Sequence, residues 1–159
     1  MSLLSTFVST AIGQVGYQAG ADYDNKYGVW FGENNVPWCA IFVAWCASTA
    51  GNQTNAATAA SPYVYDITAS VQTLYTWYGD NNRALAINNT NPSSANYPKV
   101  GDIAFINGTA THCGIIVEVT STTITTVEGD YDSGVAEVTY QMSTLMSGSN
   151  VLSYLGNNN

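Results

Sequence analysis

Cys39 heads an apolar run, Trp38-Cys39-Ala40-Ile41-Phe42-Val43-Ala44-Trp45-Cys46-Ala47, preceded by Pro37 and followed by Gly51. That pattern predicts a buried helix starting close to Cys39, where the unpaired N–H groups and positive dipole end of the helix favour a thiolate. Cys46 falls in the interior of the same helix, where neither dipole nor solvent activates it, so it reads as packing. At about 1.5 Å of rise per residue the two lie about 10 Å apart, too far for a disulfide. His112 is the only histidine and so the only imidazole base. It opens a strand after Gly108-Thr109-Ala110-Thr111, a position that suits a site residue. Glu128 and Asp130 flank Gly129 at the end of the next strand, which in an antiparallel hairpin returns toward His112. Either carboxylate can then fix the imidazole tautomer, and strand alternation does not choose between positions two apart. Cys113 alternates away from His112, which leaves Cys39 as the activated thiol. A thiolate, an imidazole and a carboxylate together support acyl transfer.

The elements that must position these residues change period along the chain. Leu3, Leu4, Phe7, Val8, Ala11, Ile12 and Val15 recur at three-and-four spacing and predict a helix ending at Gly16. Residues 20–35, rich in Gly, Asn, Asp and aromatics, read as a long irregular loop. The helix at Cys39 follows, then an Ala/Thr/Asn-rich linker over 51–61 and a third helix over 70–78. After the loop around Pro92 and Pro98, five β-branched segments predict strands at 102–106, 113–119, 122–127, 135–141 and 151–155. Helices first and an antiparallel sheet second mean an α+β domain.

With 159 residues the chain suits one domain, and 46% hydrophobic with 12% aromatic residues supplies a core. Disordered and collagen-like classes drop out. Only 3 Lys+Arg stand against 11 Asp+Glu, for a net charge of -8, so the basic footprint of a nucleic-acid binder is missing. The longest apolar run, 36–47, is too short for the roughly 20 residues of a membrane span. The first charge is Asp22, so the apolar start lacks the basic flank of a signal peptide. Three Cys at wide spacing read as free thiols.

Gly16-Tyr17, Asn25-Lys26-Tyr27-Gly28 with Trp30-Phe31-Gly32, the run from Val36 to Cys46, PKVGDIAF over 98–105, His112-Cys113-Gly114-Ile115-Ile116-Val117 and Thr125-Thr126-Val127-Glu128-Gly129-Asp130 together resemble the cysteine, histidine-dependent amidohydrolase/peptidase (CHAP) family, a papain-like group acting on peptidoglycan. The resemblance covers most of the chain. It implies a papain-like α+β fold with N-terminal helices packed on a C-terminal antiparallel sheet, residues 1–156 as one catalytic domain and 157–159 as an Asn tail or the start of a linker. It implies Cys39 as nucleophile, His112 as its base and acid, and Glu128 as the residue orienting His112. The family often has Asn where Asp130 stands, which leaves Asp130 auxiliary. The Cys39 N–H supplies one oxyanion donor, and Gln14 is a candidate for the second. Trp38, Tyr27 and Trp30 either line a substrate groove or pack in the core. Asp22 and Asp24 are weak calcium candidates, because the other ligands of a six-to-eight-coordinate site are not evident; no cofactor is expected.

The implied function is hydrolysis of a peptidoglycan amide, by an N-acetylmuramoyl-L-alanine amidase or a stem or cross-bridge endopeptidase, at the bacterial wall and without membrane insertion. The resemblance within the family is to phage lysins, so a lysin released through a membrane lesion and a virion-borne enzyme both fit. A catalytically silent wall-binding or virion structural module and a papain-like peptidase on protein substrates are the alternatives.

Overall fold

The computed structural model describes residues 2–51 and 67–159. Beyond Gly51, the linker expected over 51–61 lies outside the described residues. Helix α1 (Leu3–Ile12) starts where the Ser2 side chain accepts the Ser5 N–H, and it buries Phe7, Val8 and Ala11. It stops before Val15 because Gly13 forms the C-cap and the Gly16 N–H leaves the helix to bond the Val135 carbonyl at 3.0 Å.

The segment 20–35 is not irregular throughout. It holds a short 3-10 turn, Ala21–Tyr23, and helix α2 (Lys26–Phe31). The Asn25 side chain caps α2 by accepting the Gly28 N–H, and Gly32 ends it in the left-handed region at φ 90°. Six residues are too few to display a helical period, but Asn before and Gly after are the expected punctuation. Helix α3 (Cys39–Thr49) begins at Cys39 as expected and is buried on almost every side. Helix α4 (Val71–Asp80) follows, with Ser70 as its N-cap. Among the described residues, no helix is long and apolar enough to cross a membrane.

Six strands form one antiparallel sheet: β1 (Ala84–Ala86), β2 (Ile103–Ile106), β3 (His112–Val119), β4 (Thr123–Tyr131), β5 (Gly134–Gln141) and β6 (Leu152–Gly156). Their order across the sheet is β1-β6-β2-β3-β4-β5. Strand β1 is an addition to the five expected, too short at three residues to register as a pattern. Strand β4 runs on through Glu128, Gly129 and Asp130, past the 122–127 expected, with a bulge between Glu128 and Tyr131.

Helix α3 packs on α1, α2 and the β3–β4 pair, and Phe7, Tyr27, Trp38, Phe42, Phe105 and Val127 belong to the core between helices and sheet. A second core, with Ile116, Ile124, Met142 and Leu155, covers the opposite sheet face. Asn157–Asn159 is no loose tail. Asn158 is buried; its N–H donates to Asp102 Oδ1 at 3.0 Å and its Oδ1 accepts from Tyr78 and Arg83. Asp102, the acid of the PKVGDIAF segment, thus ties the chain end to the start of β2.

Candidate active site

The site forms where the start of α3 meets the rim of β3 and β4. Gly129 allows this closeness: a Cβ there would lie 2.5 Å from Phe42 Cβ, so α3 rests directly on the β4 backbone. Helix α3 has no side-chain cap. Its cap residue, Trp38, instead donates its backbone N–H to Asp130 Oδ2 at 3.2 Å. The first-turn N–H groups of such a helix have no intrahelical acceptors and point toward the nucleophile's end.

His112 Nε2 meets Glu128 Oε1 at 2.8 Å, and the ring also hydrogen-bonds the Cys39 sulfur. Glu128 is wholly buried. Gly114 opposite makes room for it, since a Cβ there would lie 2.6 Å from Glu128 Cγ.

The Cys39 pKa is lowered to about 5, first by a hydrogen bond from the Cys113 thiol, against burial, and then by His112. Burial alone would lower His112, but hydrogen bonds to Cys39 and Glu128 raise it to about 10. Near neutrality the pair is therefore thiolate and imidazolium. Cys113 itself is pushed well up by its contact with Cys39 and by burial, and Cys46 is pushed well up by burial. Of the three thiols, Cys39 is the one lowered.

Cys113 faces away from His112, as its place on the strand predicts, and the structure adds a contact with Cys39. Facing away from its neighbour His112 turns it toward α3, into the same core cluster as Cys39. The strand alternation that set it aside could have found it.

Of the two candidate carboxylates, Glu128 bonds the imidazole and Asp130 holds the Trp38 N–H. Asp130 takes a positive φ of 56° at the β4 bulge, and burial raises its pKa, offset in part by the Trp38 bond. Trp38 and Tyr27 are fully buried and stack at 5.3 Å. They form the wall behind α3 and do not line a groove. Trp30 is 40% exposed on α2. Gln14 Oε1 accepts from Tyr27 OH at 2.9 Å, which leaves its NH2 as the amide's donor group.

Asp24 Oδ1 accepts from Asn34 Nδ2 at 2.6 Å and the Asp22 carbonyl accepts from Asn35 Nδ2 at 3.0 Å, contacts that tie the loop ahead of α3. Among the described residues, no three His, Cys, Asp or Glu are grouped to hold a metal. Between the Ala21–Tyr23 turn and the β4–β5 end lies a cleft of about 500 Å³, lined by Asp22, Tyr23, Asp130, Asp132 and the backbone around them.

A family model of the CHAP domain matches residues 31–130, more than half of the chain and the span that holds Cys39, His112 and Glu128. The chain belongs to the CHAP domain family. This CHAP domain also shares its fold with the crystal structure of Ly7917, at a TM-score of 0.52 and 14% sequence identity over 98% of this chain. A second structure, Ly7917 with the hydrolyzing product of MDP, gives a TM-score of 0.52 at 15% identity, again over 98% of this chain. The CHAP domain spans 62% of the first of these chains and 63% of the second. No curated protein matches in sequence.

Proposed function

We propose that this CHAP domain hydrolyses an amide bond of bacterial peptidoglycan by cysteine nucleophilic catalysis. The observation that carries the reading is the continuous chain Cys39–His112–Glu128 at an uncapped helix start, with the thiol lowered and the imidazole raised. The family membership supports the wall as substrate, and the Ly7917 complex with the hydrolyzing product of MDP supports hydrolysis on this fold.

In the first step the Cys39 thiolate adds to the amide carbonyl. The developing oxyanion lies against the Cys39 N–H, with the Gln14 amide as the candidate second donor. The His112 imidazolium gives its proton to the leaving amine, breaking the C–N bond and leaving a thioester. His112, now neutral, takes a proton from water, which attacks the thioester; the acid departs and the thiolate–imidazolium pair is restored. Glu128 keeps the ring oriented throughout and stabilises its cation. Asp130 positions the nucleophile's backbone, and Trp30 is the one aromatic of its group placed to meet a ligand. A catalytically silent wall module would need none of this chain of contacts.

The test is digestion of purified walls with wild type and Cys39→Ala, followed by mass spectrometry of the released fragments. Expected are fragments that gain one water at an amide, absent with the variant; their masses separate a muramoyl-alanine amidase from an endopeptidase. Fragments cut at a glycosidic bond, or equal release by Cys39→Ala, would overturn the reading.

A further inference from the structure

Glu128 makes more contacts than its partnership with His112 requires. Its Oε1 faces His112 Nε2 at 2.8 Å, while its Oε2 accepts from Thr126 Oγ1 at 2.5 Å and from Tyr140 OH at 2.7 Å. An ionised carboxylate taken wholly out of water is costly unless its lone pairs are met, and here each oxygen has its own donors. The donors come from different places. Thr126 lies two residues before Glu128 on β4, hence on the same face. Tyr140 reaches across from β5, where the residue paired with Glu128 is the small Ala136. With Gly114 on the other flank, small neighbours leave a slot in the sheet that the carboxylate and the tyrosine fill.

We propose that Thr126 and Tyr140 are positioning residues for catalysis: their hydroxyls clamp Oε2 of Glu128, so that Oε1 is committed to His112 and the carboxylate remains the imidazolium's charged partner. This rests on the mechanism above for its catalytic consequence, but the clamp itself is readable without substrate. Other groups also face the carboxylate and its imidazole. Cys113 acts on Glu128 from β3, while Cys39 on α3 and Asp130 on β4 itself act on His112. The variants leave all three in place.

Losing both hydroxyls strands Oε2 in a dry slot, so the carboxylate no longer holds its place and Oε1 draws away from the imidazole. His112 then loses the opposite charge that helps to hold it up, so its pKa falls. Because His112 is the only histidine, its ring signals in an NMR titration need no assignment. Wild type is expected to titrate at about 10. Tyr140→Phe, which keeps the ring that packs on the second core, and the double variant with Thr126→Val are expected to titrate progressively lower. Thr126→Ser keeps a hydroxyl and stays at the wild-type value.

On walls, kcat falls about tenfold for Tyr140→Phe and further for the double variant, the scale of a hydrogen bond to a charged group, with KM nearly unchanged. In a Glu128→Gln background Tyr140→Phe adds little, as expected for a residue that acts through Glu128. An unchanged or raised His112 titration in folded Tyr140→Phe would overturn the clamp. If wild type releases nothing from walls, the mechanism fails while the titration still decides the clamp. If the double variant does not fold, Tyr140→Phe alone carries the test.

Discussion

The start and the interior of α3 hold the same side chain in opposite chemical states. Cys39, in the first turn, is 5% exposed and Cys46, seven residues on, not at all, so burial differs little between them. The difference lies in what each sulfur meets. Cys39 has hydrogen bonds from Cys113 and His112 that outweigh its desolvation. Cys46 has only the distant pull of Lys26 against full desolvation, and its thiol stays protonated. Burial by itself silences a thiol; directed donors at a helix start make it a nucleophile.

The largest expected effect removes one end of that contrast. Cys39→Ala should reduce hydrolysis by at least about a thousandfold, as for loss of a nucleophile, with the melting curve nearly unchanged. Cys46→Ala should keep full turnover and lose about 1 kcal/mol of stability for a small buried cavity. Iodoacetamide near pH 7 should label Cys39 alone, as read by peptide mapping; first labelling of Cys46 or Cys113 would break the comparison.

Next in size is the carboxylate. Glu128→Gln should lower kcat about a hundredfold, since an amide orients the imidazole but does not balance its charge. Asp130→Asn should cost far less, because the Asn carbonyl can still accept the Trp38 N–H. A larger loss at Asp130, measured as kcat on a soluble wall peptide, would reverse the two roles.

A smaller effect sharpens the contrast. Activity should rise as pH passes about 5, where Cys39 ionises, and fall as it passes about 10, where His112 loses its proton; the two limbs belong to the coupled pair. Cys113→Ala removes the donor that most lowers Cys39, so the acid limb should move to higher pH and the rate near pH 5 should drop several-fold. Cys113→Ser, which keeps a donor, should lie between. A stationary limb in a folded Cys113→Ala enzyme would give the whole lowering to His112 and the helix.

The smallest effect concerns metal. Asp24 is engaged with Asn34 and Asp22 lies apart from any metal-sized group among the described residues. Hydrolysis of a soluble wall peptide should therefore stay within twofold after exhaustive EGTA treatment. Loss in EGTA, restored by calcium in wild type but not in Asp22→Ala with Asp24→Ala, would place an ion beside the start of α3.

What the sequence disclosed follows from the range over which each signal acts. Helix α3 was legible because ten apolar residues in a row, Trp38 to Ala47, leave little else for the chain to do, and His112 because there is no second histidine. The sheet was legible strand by strand from β-branched alternation. Helix α2 and strand β1 were not, being too short to show a period, although Asn25 and Gly32 marked the ends of α2. For Tyr27 and Trp38 the sequence left groove and core both open because aromatic type does not reveal burial; only the packing of α2 on α3 does. Thr126 and Tyr140 were out of reach, since their meeting at Glu128 depends on the β4–β5 register. Asn157–Asn159 read as a tail because the hydrogen bonds that bind it span more than 50 residues of chain.

Gly114 and Gly129 carry no functional group, yet they gauge the site: one leaves the slot for Glu128, the other lets α3 rest on β4. A relative with Ala at either position would keep cysteine, histidine and glutamate in register and pass any inventory of catalytic residues as active. Its carboxylate or its helix would nonetheless be displaced by most of a bond length. When working enzymes are sorted from inert homologues by sequence, two absent methyl groups therefore belong in the signature beside the three side chains proposed to do the chemistry.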